Sequence, residues 1–94
     1  KLSIDDSAIQ SIIQAVIGKT DGITKTQHIR VRHLMQGDED LGLMISCEVV
    51  LNYGNHIPTL IANVQQAVRE AVEFMTGMIV HEVNIRVKAL YVQA

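Results

Sequence analysis

Residues 43–53, LMISCEVVLNY, alternate strictly, with Leu43, Ile45, Cys47, Val49, Leu51 and Tyr53 set against Met44, Ser46, Glu48, Val50 and Asn52. That period of two describes a strand whose odd-numbered positions face a core. A few residues on, the period becomes helical, with Ile61, Val64, Val68, Ala71, Val72 and Met75 on one stripe of a helix over about residues 58–75. The chain's sole proline, Pro58, stands at the join. Proline lacks an amide hydrogen and has φ fixed near −65°, so it costs least in the first turn of a helix. Gly54 gives the chain freedom to turn off the sheet, and Ile57 is placed to staple the helix start to the core. Gly77 is a natural stop, after which MIVHEVNIRVKALYV returns to period two. There Ile79, Val83, Ile85, Val87, Ala89 and Tyr91 read as inward, with His81 in the inward register, and Glu82, Asn84, Arg86 and Lys88 as outward. A strand–helix–strand crossover is right-handed and makes its two strands parallel.

Upstream, Ile9, Ile12, Ile13, Val16 and Ile17 form another stripe, predicting a first helix over about residues 5–17. Ser3 with Asp6 reads as a weakened capping box, and Gly18 can close the helix. ITKTQHIRVRHLM then alternates, with Gln27, Ile29, Val31 and His33 on one face and His28, Arg30, Arg32 and Leu34 on the other. The acidic stretch QGDEDLG reads as a solvated hairpin loop, so the first two strands are antiparallel. These elements predict an α+β fold. It is a two-layer sandwich in the order helix-strand-strand-helix-strand, a three-stranded mixed sheet with both helices on one face. Strand one is expected in the middle, being antiparallel to both others.

A chain of 94 residues is expected to make one domain spanning residues 1–94, and a chain this short buries only about 60–65% of its unfolded surface. Only Tyr53, Phe74 and Tyr91 are aromatic, so the core falls to Ile, Val, Leu, Met and Ala, with few platforms for stacking bases or sugars. A net charge of −2 argues for no class of partner by itself. The lone cysteine, Cys47, lies in an apolar strand and reads as a small buried thiol, suited to a reducing cytosol. No run approaches the ~18 apolar residues of a membrane span, and no signal peptide is evident, so a soluble cytoplasmic chain is expected.

The open sheet face carries the most information. Arg30 and Arg32 on strand one and Arg86 and Lys88 on strand three would share it, with His28 at its edge, answered only by Glu48 and Glu82. Clustered cations raise the local potential and suit an acidic protein, RNA or anionic lipid. The same charges also suit an ordinary solvated face held by cross-strand ion pairs. His28, His33, His56 and His81 show no HxH or HxxxH spacing, so no metal site is expected. Asp38, Glu39 and Asp40 are too irregular for a calcium loop. On the second helix Gln65, Gln66, Arg69, Glu70 and Glu73 read as a solvated face, with Arg69 and Glu73 as an i, i+4 pair. The Tyr53–Pro58 elbow resembles an anion-binding helix start, yet lacks a glycine-rich loop, so a structural role explains it better. No catalytic set and no cofactor motif is discernible, and no enzyme is expected.

The order and spacing of several elements resemble a known family. Tyr53-Gly54, Ile57-Pro58, Val64-Gln65 with Val68, Met75-Thr76-Gly77, and Val83-Asn84-Ile85 with Val87 are similar to the C-terminal two thirds of the alkaline shock protein family. These are small envelope stress response proteins of Gram-positive bacteria, and AIQSIIQAVIGKTDGI is similar to their first helix and glycine turn. The resemblance implies a non-enzymatic cytoplasmic protein of cell-envelope homeostasis that self-associates as a homo-oligomer. It also implies docking on a protein partner, membrane-anchored for some relatives, which would hold the chain at the inner face of the membrane. A small RNA-binding module using the basic face is the alternative reading. The element order is also similar to ring-building domains of secretion and sporulation assemblies, which favours self-association.

Overall fold

Helix α1 (Asp6–Gly18), strands β1 (Ile23–Gln36) and β2 (Glu39–Leu51), helix α2 (Ile57–Thr76) and strand β3 (Val80–Ala89) follow in the order the spacings predict. This is a computed structural model, describing residues 5–51 and 56–89. Strand β2 pairs antiparallel with β1 and parallel with β3, giving the α+β fold with a three-stranded mixed sheet. Ile9, Ile13 and Ile17 of α1 and Val64, Val68 and Val72 of α2 are buried together with Leu43, Ile45, Cys47, Val49 and Leu51 of β2 and Val80 and Val83 of β3. Each helix contributes residues four apart, a single stripe, so both helices cover the same sheet face and the other stays open. Burying each of these aliphatic side chains contributes about 1.5–3 kcal/mol.

The sheet order is β1-β2-β3, so β2, and not β1, is central. The expectation rested on direction, but burial decides. Every odd position of β2 from Leu43 to Leu51 is at most 5% exposed, whereas β1 packs only Ile23, Ile29 and Val31 against the core in its matching stretch, each of them partly buried. The strand with the most complete apolar face takes the most covered place. The hairpin is also tighter than expected, since β1 runs to Gln36 and β2 starts at Glu39. Gln36 pairs with Glu39 and Met35 with Asp40, leaving a turn at Gly37, whose φ of 59° suits glycine.

Two bulges shift the predicted faces. The β1–β2 register slips between Gln27 and Arg30, at His28, which has a φ of 55°. One extra residue reverses the alternation. Gln27, paired with Glu48, therefore joins the open face, while Ile29 and Val31 pack against the core as expected. The β2–β3 register slips between Leu43–Val80 and Met44–Glu82, making His81 the extra residue. Val80 takes the core position predicted for Ile79, which is 61% exposed, and His81 is exposed.

Helix ends follow local chemistry. The N-cap of α1 is Asp5, in an extended conformation, in place of the predicted Ser3, which lies outside the described residues. Tyr53 and Gly54 of the elbow also lie outside them. Pro58 sits in the first turn of α2, but Ile57 is exposed and Leu60 and Ile61 pack on the core in its stead. At the other end Gly77 is left-handed with φ 72° and donates its N–H to the Glu73 carbonyl at 2.8 Å. Met75, predicted inward, is exposed beside Phe74.

The polar side of α2 is not simply solvated. Gln65 Nε2 donates to the Val83 carbonyl at 3.0 Å, Arg69 donates to the Val80 carbonyl, and Val80 N–H donates to Glu73 Oε2 at 2.8 Å. Spaced four apart on one row, the three side chains engage the Val80 amide and carbonyl and the Val83 carbonyl on the outer β3 edge, so Arg69 and Glu73 serve the strand backbone and not the pair predicted for them.

Candidate interaction surface

The open face is built from rows of paired residues, since partners across a sheet share a side. Arg32, Met44 and Glu82 make one row; Arg30, Ser46 and Asn84 the next. Then come Gln27, Glu48 and Arg86, and finally Lys25, Val50 and Lys88. Strand β2 thus separates Arg30 and Arg32 from Arg86 and Lys88, which would stand side by side only if strands one and three were neighbours. Long cationic side chains rise on the two outer strands, and short Ser46 and Asn84 lie between them. The result is a trough of about 500 Å³ bordered by His28, Arg30, Arg32, Glu48 and Arg86. Lys88 is on the same face but outside this border.

Glu48 is the trough's anion. Gln27 Nε2 donates to its Oε1 at 2.5 Å, and His28 Nε2 stands 3.8 Å from the same oxygen. The Gln27 hydrogen bond, with smaller help from His28, Lys88 and Arg86, holds its carboxyl below the usual range. Among the described residues, no carboxylate lies within ion-pair distance of Arg30, Arg32, Arg86 or Lys88. The cross-strand ion pairs of an ordinary solvated face are therefore not what orders these four. Sequence reasoning missed Lys25 and Gln27 here, because simple alternation turns both inward until the His28 bulge is known.

The other histidines are engaged elsewhere. His33 Nδ1 is 2.6 Å from Asp40 Oδ2 and its Nε2 is 2.8 Å from Asp6 Oδ1, so both ring nitrogens meet carboxylates. These contacts, Asp6 foremost, raise its pKa above the ordinary value against the opposing effect of burial. His81 Nε2 contacts the Leu41 carbonyl at 2.6 Å and His56 Nδ1 contacts Thr59 Oγ1 at 2.7 Å. Among the described residues no cluster of His, Cys, Asp and Glu is arranged to hold a metal. Cys47 faces the core, and burial pushes its thiol up to about 11.

The sequence pattern of the alkaline shock protein family, whose described function is cell envelope-related, matches residues 1–92. The chain belongs to that family. No curated protein matches it significantly. In three dimensions it is similar to solved structures of MamM CTD variants. One has TM-score 0.61 at 17% identity, covering 92% of this chain and 96% of that one. A second has TM-score 0.63 at 16% identity, covering 93% and 100%. A third, described as a zinc form, has TM-score 0.61 at 16% identity, covering 93% and 88%. At such identity the likeness shows the shared fold alone.

Proposed function

We propose that this alkaline shock family protein acts by association and not by catalysis. It self-associates, and its open sheet face docks on an acidic surface of a protein partner in cell-envelope homeostasis. The observation that carries this reading is the set Arg30, Arg32, Arg86 and Lys88 on one face without ion-pair partners among the described residues. Cations without ion-pair partners among the described residues, on a face that holds a concave trough, give an acidic partner both attraction and shape. No helix among the described residues is long and apolar enough to cross a membrane. A membrane-anchored partner is therefore the proposed route to the membrane's inner face. The same cations would suit RNA, but the described part of the face presents no Phe, Tyr or Trp for base stacking, which favours protein.

The test is affinity capture from a gently lysed native host, with and without nuclease, comparing the wild-type chain with Arg30→Glu/Arg86→Glu. The expected result is a nuclease-resistant protein partner that the variant loses while its thermal unfolding stays nearly unchanged. Equal capture by the variant overturns the open face as the docking site. A set that disappears with nuclease moves the function to RNA.

A further inference from the structure

The two sheet edges differ in what they offer. The β1 edge is interrupted by three register shifts, and Gln10 Nε2 donates to the Ile29 carbonyl at 3.3 Å. Such interruptions blunt an edge against pairing. Strand β3 runs without a register shift from Glu82 to Ala89. Its outer edge is occupied by α2 only at Val80 and Val83, through Gln65, Arg69 and Glu73. The next residue of that helical row, Ile61, has no polar group to offer. Alternate residues of a strand turn their N–H and C=O groups the same way. Ile85 and Val87 therefore present theirs outward, as Val83 does, and no side chain among the described residues bonds to them. Their side chains are only half-buried against the core, which leaves apolar surface beside the free backbone.

This segment complements itself. The run Glu82-Val83-Asn84-Ile85-Arg86-Val87-Lys88, laid antiparallel on a copy of itself and centred on Ile85, sets Glu82 opposite Lys88, Val83 opposite Val87 and Asn84 opposite Arg86. Ile85 meets Ile85 of the second copy, and each chain's Val87 aligns with the other's Val83, so the outward backbone groups face one another, the Val83 carbonyl using its second lone pair because Gln65 Nε2 already takes the first. Sliding two residues toward the C-terminus places Arg86 on Arg86 of the second copy, and two residues further places it on Lys88. Like charges directly opposed disfavour both of these, and a slide the other way runs the second copy further onto the part of the edge that Glu73 and Arg69 hold at Val80.

We propose that the outer edge of β3 pairs antiparallel with the same edge of a second copy about a two-fold axis at Ile85, joining two sheets into one of six strands. The contact is isologous and closes as a dimer. It leaves the cationic trough of each copy on the open face, available for docking. The pairing rests on the self-association part of the function proposed above and shares Arg86 and Lys88 with the docking part, whose other cations, Arg30 and Arg32, lie on β1.

Charge exchange tests it. Glu82 and Lys88 are both exposed and lie six residues apart on one strand, about 20 Å, too far to pair within a chain. Dimer dissociation constants would be measured by sedimentation equilibrium for the wild type, Glu82→Lys, Lys88→Glu and the double variant, with thermal unfolding as a control on folding. Each single variant creates two like-charge contacts per dimer and is expected to weaken it about ten- to thirty-fold. The double variant restores opposite charges and should return to within about threefold of the wild type. An equimolar mixture of the two single variants should form a heterodimer. In it the two substituted side chains oppose each other with unlike charges, and the native Glu82 of one chain still meets the native Lys88 of the other. Single variants that dimerise like the wild type overturn this edge while leaving self-association in place through another surface. A double variant that fails to recover overturns the register. A wild type that stays monomeric at its highest soluble concentration overturns the edge and the self-association reading together.

Discussion

His33 Nε2 reaches Asp6 Oδ1 at 2.8 Å, tying β1 to the first turn of α1, while its Nδ1 holds Asp40 of β2 at 2.6 Å. One imidazole thus fastens a helix start and a hairpin to each other, and it does so best when charged.

The pH dependence follows in sign. His33 has a folded pKa raised above 6.5, so the native state holds this proton more tightly than the unfolded chain. The stabilisation is fully present below the unfolded value and is lost as pH rises through the raised folded value. His33→Gln should therefore cost about 1 kcal/mol in the acidic part of this window and less above it, the scale of a partly exposed ion pair. Denaturant unfolding of both proteins across the window checks this. Parallel stability curves for wild type and variant would remove His33 from the account.

Gly42 and Gly18 should respond oppositely to alanine. Gly42 has φ 131°, and a Cβ there would lie 2.5 Å from the Ile79 carbonyl oxygen and 2.8 Å from His81 Nε2. The Ile79 carbonyl also accepts Leu43 N–H at 2.8 Å, so yielding would open the start of the β2–β3 ladder. Gly42→Ala should cost about 2–4 kcal/mol. Gly18 ends α1 with open space around its Cβ position, so Gly18→Ala should be neutral or stabilising by up to about 1 kcal/mol. Thermal melts of the two variants decide it, and a mild Gly42→Ala would mean that β3 docks less tightly than these distances imply.

The α2 row on β3 makes a local prediction. Glu73 Oε2 accepts the Val80 amide and Arg69 donates to its carbonyl, so Glu73→Ala unpairs an N–H of a residue that is fully buried. The cost should be about 1–3 kcal/mol. Hydrogen exchange should quicken first at Val80 while the middle of β2 keeps its protection. Uniform acceleration through the sheet would show instead that the row sustains global stability.

What the sequence disclosed depended on whether a cause was local. Alternation in β2, the Gly77 stop and Pro58 in the first turn of α2 all arise from neighbouring residues, and the structure carries each of them. The bulges at His28 and His81 arise from tertiary fit, and no residue type announces them. Each reversed a face, sending Gln27 outward and exchanging Ile79 for Val80. Arg30, Arg32, Arg86 and Lys88 were legible because they lie beyond the bulges, on regular alternation. His33 was not, since its partner Asp6 is 27 residues away.

Cys47 gives the last prediction. Its thiol faces the core at 5% exposure while the neighbouring positions Ser46 and Glu48 line the trough on the other side of the sheet. Burial raises its pKa from 9.0 to about 11, which lowers the thiolate fraction at pH 8 about a hundredfold beyond the steric protection. Native protein should therefore resist a thiol reagent at pH 8, with labelling limited by opening of the core. Ile45→Ala empties a buried site beside Cys47 on the same strand and should cost about 2–5 kcal/mol. It is expected to speed labelling by the same factor by which it raises the equilibrium constant for unfolding. If the wild type labels as fast as a denatured control, the thiol is reached without unfolding, and the odd-numbered face of β2 is not a closed core.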